Sequence, residues 1–256
     1  MKKTLWIPLV LILLALTVES SAQQTWRLRR YEGQVYLATT SMYGDIGLAN
    51  KPFANLFNGV RPSAGFTARY ALTRNIGAAV DLSYLMYGGK DEVGSSHGRV
   101  YSFMTNAFQH TARIEMYVLG QDVRYRSAAM YNRRGMVNNF NKLNMYLYAG
   151  LGGSLSKARI YDLNNDRAEP LTNPGYHPEM QYAVVFPVGA GLKWALDARW
   201  SMGTEFGYQF TLTDKLDGYA PVASQYNDSY YVISLRAIYK LRNDRRNMPI
   251  FNKLYR

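Results

Sequence analysis

Apolar and polar side chains alternate with period two along most of this chain, as they do in strands with one oily side. From Pro62 to Leu72 the even positions are Pro62, Ala64, Phe66, Ala68, Tyr70 and Leu72, and the odd ones are Ser63, Gly65, Thr67, Arg69 and Ala71. Ala78, Val80, Leu82, Tyr84 and Met86 repeat the pattern beyond Thr73-Arg74-Asn75. The two runs therefore predict an antiparallel hairpin. Further runs start at Ala112, Met145 and Val184. Another runs from Trp200, after a four-residue turn near Asp197, and the last goes from Tyr231 to Leu241. Val35, Leu37 and Thr39 make a weaker first strand, and the total predicted is eight.

The opposite faces carry many glycines and both signs of charge: Arg69, Asp81, Arg113, Glu115, Lys193, Glu205, Arg236 and Lys240. A soluble β-sandwich would bury the bulky side chains and expose the charges. Small residues with paired charges instead suit the interior of a narrow barrel, and aromatics at the ends of the apolar faces suit interfacial girdles. The predicted fold is all-β, an eight-stranded antiparallel transmembrane barrel whose lumen is plugged by side chains. Lys2-Lys3, the apolar run Leu5–Val18 and Ser20-Ser21-Ala22 read as a secretory leader. The expected organisation is a signal peptide at 1–22, a barrel at 23–241 and a basic tail at 242–256. The expected location is the outer membrane, with both termini and the short connections in the periplasm.

Composition sharpens the partner question. The chain has 256 residues, 30 Lys+Arg against 18 Asp+Glu, 22 Tyr and no Cys. The lack of Cys removes disulfides, thiolate nucleophiles and Cys-based metal sites. The long loops expected outside, near 41–60, 88–104, 156–181 and 211–229, sum to −3, whereas the segments expected in the periplasm sum to +12. One such segment, 119–144, is long for a periplasmic connection and mixes Arg124, Arg126, Arg133 and Arg134 with Tyr125, Tyr131 and Phe140. The tail adds Arg242, Arg245, Arg246 and Lys253. These eight basic residues are the candidate partner-binding set, since Arg and Tyr are enriched at interface hot spots and a one-sided basic field attracts an acidic surface. Attraction to anionic lipid of the inner leaflet is the simpler alternative. Nucleic acid is a poor candidate, because the basic residues are scattered over several turns of an exported barrel.

No catalytic constellation emerges. His97, His110 and His177 lack metal-ligand spacing, so neither a metal nor another cofactor is expected. His110 shares parity with Ala112 and Ile114 and should face lipid, as does the histidine of small-barrel lipid hydrolases, but the position two residues on, where those enzymes carry serine, is Ala112. A base without its nucleophile cannot act in that way. Glu115 and Glu205 belong among Arg113 and Arg236 as ion-paired packing, and Gly150-Leu151-Gly152-Gly153 has no following helix with which to cradle a phosphate.

Several segments together resemble one family. They are Tyr31-Glu32, Tyr43-Gly44-Asp45-Ile46-Gly47, Arg61-Pro62-Ser63-Ala64-Gly65, Ala68-Arg69-Tyr70, Tyr148-Ala149-Gly150-Leu151-Gly152-Gly153 and Thr211-Leu212-Thr213-Asp214-Lys215-Leu216-Asp217. In order and position they are similar to the PorG-like outer-membrane barrels of the Bacteroidetes type IX secretion system, over roughly residues 26–241. The resemblance implies a non-enzymatic barrel that contacts a periplasmic ring of PorK and PorN and supports protein export and, in some relatives, gliding. The 119–144 connection and the tail are larger than that pattern. A small transport or ligand-binding barrel and a general envelope-integrity barrel are the alternatives.

Overall fold

A computed structural model describes residues 29–43, 46, 59–91, 101–118, 131–132, 135–136, 143–162, 177, 179–197, 199–218, 227–243 and 249. The described residues form ten strands: β1 (Tyr31–Tyr43), β2 (Arg61–Ala71), β3 (Ile76–Lys90), β4 (Tyr101–Tyr117), β5 (Tyr131–Asn132), β6 (Gly135–Met136), β7 (Leu143–Asp162), β8 (Gln181–Ala195), β9 (Trp200–Thr211) and β10 (Ser229–Lys240). Eight of them close an antiparallel barrel in the order β1-β10-β9-β8-β7-β4-β3-β2. Closure is complete, since β1 and β10 pair continuously from Glu32↔Lys240 to Tyr43↔Ser229. No edge is left to seek a partner strand. The two short strands β5 and β6 form a separate hairpin within the 119–144 connection.

The turns follow from sequence. Between β2 and β3, Thr73 Oγ1 accepts the backbone N–H groups of Asn75 and Ile76 at 3.3 and 3.0 Å. Between β8 and β9, Asp197 Oδ1 accepts those of Arg199 and Trp200 at 2.5 and 2.7 Å, which closes the four-residue turn. Hydrogen bonding from the Trp200 and then the Arg199 N–H holds this exposed carboxyl below its usual pKa.

The expected parity holds, but in the long strands β3, β4 and β7 the oily-outside pattern covers only part of the length. On β7 the outward residues Leu143, Met145, Leu147, Leu151 and Leu155 are exposed, while Tyr146, Tyr148, Ser154 and Ser156 are buried inward. At ~3.3 Å per residue and a tilt of about 40°, the oily stretch from Leu143 to Leu155 is about 30 Å tall. That height matches a hydrocarbon core, so the exterior is a lipid-facing belt. Aromatics bound it. Tyr31 and Tyr70 (centroids 4.9 Å apart) and Trp200 and Tyr239 (4.9 Å) lie near the end that holds the termini, and Tyr84, Phe108, Tyr182 and Tyr208 lie toward the other.

Beyond the belt β3, β4 and β7 continue with the same facing but with the polarity of the two faces exchanged. Lys157 and Arg159 of β7 now point outward and are exposed, while Ala158 and Ile160 point inward and are buried. The loops expected at 88–104 and 156–181 are shorter than that, because β3 runs to Lys90, β4 starts at Tyr101 and β7 reaches Asp162. The two faces trade chemistry where the wall leaves the membrane, so a test for oily-outside alternation stops short. An apolar core consequently fills the upper barrel, built from Met42, Ile46, Leu85, Tyr87, Phe103 and Ile160 with Val185, Leu216 and Tyr230.

Candidate functional site

The lumen at membrane depth holds an alternating chain of eight buried charges. Lys193 Nζ lies 2.5 Å from Glu32 Oε2, and Arg69 Nη1 lies 3.3 Å from the same oxygen. Arg69 Nε reaches Glu115 Oε2 at 2.6 Å, and Arg113 Nη2 reaches Glu115 Oε1 at 3.0 Å. Arg113 Nη1 and Arg236 Nη2 then share Glu205 Oε1 at 2.8 and 2.6 Å, and Asp81 Oδ2 lies 3.9 Å from Arg236 Nη1. Four cations meet four carboxylates, which leaves no net charge to desolvate.

The lumenal tyrosines serve as platforms. The guanidinium carbons of Arg69, Arg113 and Arg236 stand 4.6, 4.5 and 4.1 Å from the ring centroids of Tyr117, Tyr148 and Tyr36. Tyr36 donates to Asp81 at 2.8 Å and Tyr146 to Glu205 at 2.8 Å, so each phenol also satisfies a carboxylate. The glycines opposite make the room. A Cβ on Gly191 would sit 2.3 Å from Cζ of Tyr146, and one on Gly65 would sit 2.4 Å from Cζ of Tyr36. Between the charged chain and the apolar core is a cavity of about 20 Å³ lined by residues such as Tyr36, Gln109, Arg113 and Glu205. It has room for about one water molecule and none for a solute.

The end away from the termini is closed by the segment after β9. Leu216 inserts into the apolar core, and Thr105 Oγ1 donates to its carbonyl at 2.9 Å. Its N–H donates to Asp228 Oδ2 at 2.8 Å, and Asp228 N–H donates to the Thr213 carbonyl at 3.0 Å. Gly218, at φ +81°, takes the left-handed turn that ends this cap. Burial first, and then the neighbouring Asp217, raises the Asp228 carboxyl to about 9, so it is protonated at neutral pH. Thr211 to Asp217, which the resemblance singled out, are thus the residues of the cap.

The end that holds the termini is basic. Its described residues include Arg29, Arg30, Arg74, Arg199, Lys240 and Arg242, with Asp197 as a carboxylate among them. Of the sequence-derived partner-binding set, Arg242 is exposed just past β10, where Leu241 N–H donates to the Tyr31 carbonyl at 2.8 Å. Asn243 then bridges to Pro249. Arg124, Arg126, Arg133, Arg134, Arg245, Arg246 and Lys253 lie outside the described residues, as does the 1–22 leader. Sequence reading passed over Glu32 as a lumenal acid, although its even parity, shared with Gln34 and Tyr36, marks it as inward. Arg29, Arg30, Arg74 and Arg199 entered that reading only through the charge count.

His110 points outward and is exposed, with its ring 6.4 Å from that of Tyr182, and Ala112 follows it on the same face. Among the described residues no group of three His, Cys, Asp or Glu side chains is placed to hold a metal.

No protein-family model matches the sequence, and neither does any curated protein. Among solved structures, Neisserial surface protein A (NspA) is 15% identical over 82% of this chain and 96% of its own, with a TM-score of 0.43. Ail, the attachment invasion locus protein of Yersinia pestis, is 14% identical over 83% and 98%, with a TM-score of 0.42. The outer membrane enzyme PagL is 13% identical over 85% and 99%, with a TM-score of 0.36. At this degree of similarity none of them lends this chain a role.

Proposed function

We propose that this chain is a non-catalytic outer-membrane subunit of the type IX protein secretion machinery, and that it docks periplasmic ring components resembling PorK and PorN through its basic terminal end. The observation that carries this reading is the basic terminal end of a barrel whose described lumen is filled by side chains. The lumen is filled by ion pairs and capped by Leu216, so transport through it is disfavoured. The surface turned toward the periplasm in the expected orientation is the terminal rim, where Arg74, Arg199 and Arg242 are exposed. A concentrated basic rim steers an acidic partner toward it and fixes its orientation. The family resemblance supplies the identity of that partner, and the leader with its lipid-facing barrel supports the outer membrane as the location.

The test is site-specific photo-cross-linking in intact envelopes, with the photoreactive residue at position 74, 242 or 245. The expected result is an adduct with an acidic periplasmic protein, weakened by salt. Clean labelling of lipid alone from all three positions, with normal export in a strain lacking 242–256, would overturn the reading.

A further inference from the structure

In-register pairing of β3, β4 and β7 lets their outward side chains be read as rows across three neighbouring strands. The row that closes the oily belt is Tyr84, Phe108, Leu155. Above it comes Met86, Asn106, Lys157, then Gly88, Met104, Arg159, and then Lys90, Ser102, Tyr161. The surface thus turns from hydrocarbon-like to cationic within two rows, each about 7 Å above the last along the strand. Arg61, the first residue of β2, has inward parity with its partner Thr40, but at the strand end it is exposed and its Nε lies 3.5 Å from where a Gly88 Cβ would stand, which brings it beside the group. Arg61, Lys90, Lys157 and Arg159 are all exposed. Among the described residues, no carboxylate forms an ion pair with any of them.

Among the described residues these four cations lie together on β2, β3 and β7. The girdle row below them continues as aromatics on the neighbouring strands, with Tyr182 of β8 paired to Leu155 and Tyr231 of β10 paired to Tyr208 of β9. A compact group that combines two guanidinium forks with two ammonium groups, seated directly on the lipid belt, is the arrangement a multiply charged phosphate fits.

We propose that this half-ring binds the phosphate groups of a phosphorylated glycolipid in the adjacent leaflet, with the acyl chains lying against Tyr84, Phe108 and Leu155 below. The assignment of that leaflet as the outer one rests on the orientation proposed above. Arg61 and Arg159 can each grip a phosphate through two N–H groups, and Lys90 and Lys157 add charge from the flanks.

The test uses the full-length protein in phosphatidylcholine nanodiscs doped with a bis-phosphorylated acylated glucosamine disaccharide, and retention of that lipid is followed by native mass spectrometry. The dephosphorylated disaccharide and phosphatidylglycerol are parallel arms, and inorganic phosphate is the competitor. The expected result is selective retention of the phosphorylated glycolipid, weakened by salt. The triple variant Lys90→Ser, Lys157→Ser, Arg159→Ser should lower affinity about a hundredfold, roughly fivefold per cation. Its unfolding midpoint should stay at the wild-type value, because all three side chains are exposed. Equal retention of the dephosphorylated lipid or of phosphatidylglycerol, displacement by millimolar inorganic phosphate, or an unchanged triple variant would each overturn the proposal. Orientation is read separately, by labelling Lys157 with an impermeant amine reagent on intact cells. Failure there refutes the placement of the ends and leaves lipid binding in nanodiscs as an independent result.

Discussion

Replacing Glu205 by Ala should be among the most damaging single changes in the lumen. Its carboxylate accepts from Arg113 Nη1 and Nη2 at 2.8 and 3.1 Å, from Arg236 Nη2 at 2.6 Å and from Tyr146 at 2.8 Å. Truncation leaves Arg236 with only the more distant Asp81 as a counter-ion, and leaves Arg113 with Glu115. Removing one partner from a buried ion pair costs about 3–5 kcal/mol, chiefly because the other charge stays behind uncompensated. Removing Arg236 as well, as Glu205→Ala with Arg236→Met, returns the lumen to three cations and three carboxylates. The double variant should therefore lose at least about 2 kcal/mol less than the sum of the single losses. Equilibrium unfolding in urea from lipid vesicles would measure this, with the lipid-facing Trp194 and Trp200 as fluorescence reporters. Additive losses, or a Glu205→Ala variant within about 1 kcal/mol of wild type, would refute the picture of a charge-balanced chain.

Three further outcomes are expected. Gly191→Ala should cost about 1–3 kcal/mol, since the Tyr146 ring 2.3 Å from the new Cβ is itself stacked on Tyr117 with centroids 5.1 Å apart. Gly203→Ala, whose nearest contact is 3.0 Å, should cost less, and urea midpoints compare the two. Leu151→Lys in the middle of the belt should cost about 2–4 kcal/mol, while Lys157→Leu above it should cost little, a contrast readable from refolding yields into bilayers. Asp228 has its folded pKa raised from 3.8 to about 9, so the native cap holds a proton that the unfolded chain releases. Cap stability should accordingly fall as pH rises from about 4 to about 9. Hydrogen exchange at the Leu216 amide, corrected for its intrinsic rate, would show the trend, and Asp228→Asn should flatten it.

The eight strands and their facing were legible because lipid outside and charge inside impose a strict twofold pattern that the pleat cannot blur. Arg69, Arg113, Lys193 and Arg236 all stand where their parity put them, and His110 does too. The upper wall was not legible. From Lys157 to Ile160 the alternation persists with inverted polarity, which in sequence reads as an amphipathic loop. The cap was hidden for a different reason, since Leu216 is a single apolar residue among polar neighbours and only the fold shows the hollow that receives it. The pairing order within the charged chain also required three dimensions, because Lys193 meets Glu32 across 161 positions of sequence.

The reversal of polarity beyond Leu155 gives the molecule a waterline. Sinking it by one pair of residues would push Lys157 into hydrocarbon, and raising it would lift Leu143 into water, so vertical drift meets opposition in both directions. The protein therefore rides at a set draught, and anything moored to its underside inherits a fixed height relative to the bilayer.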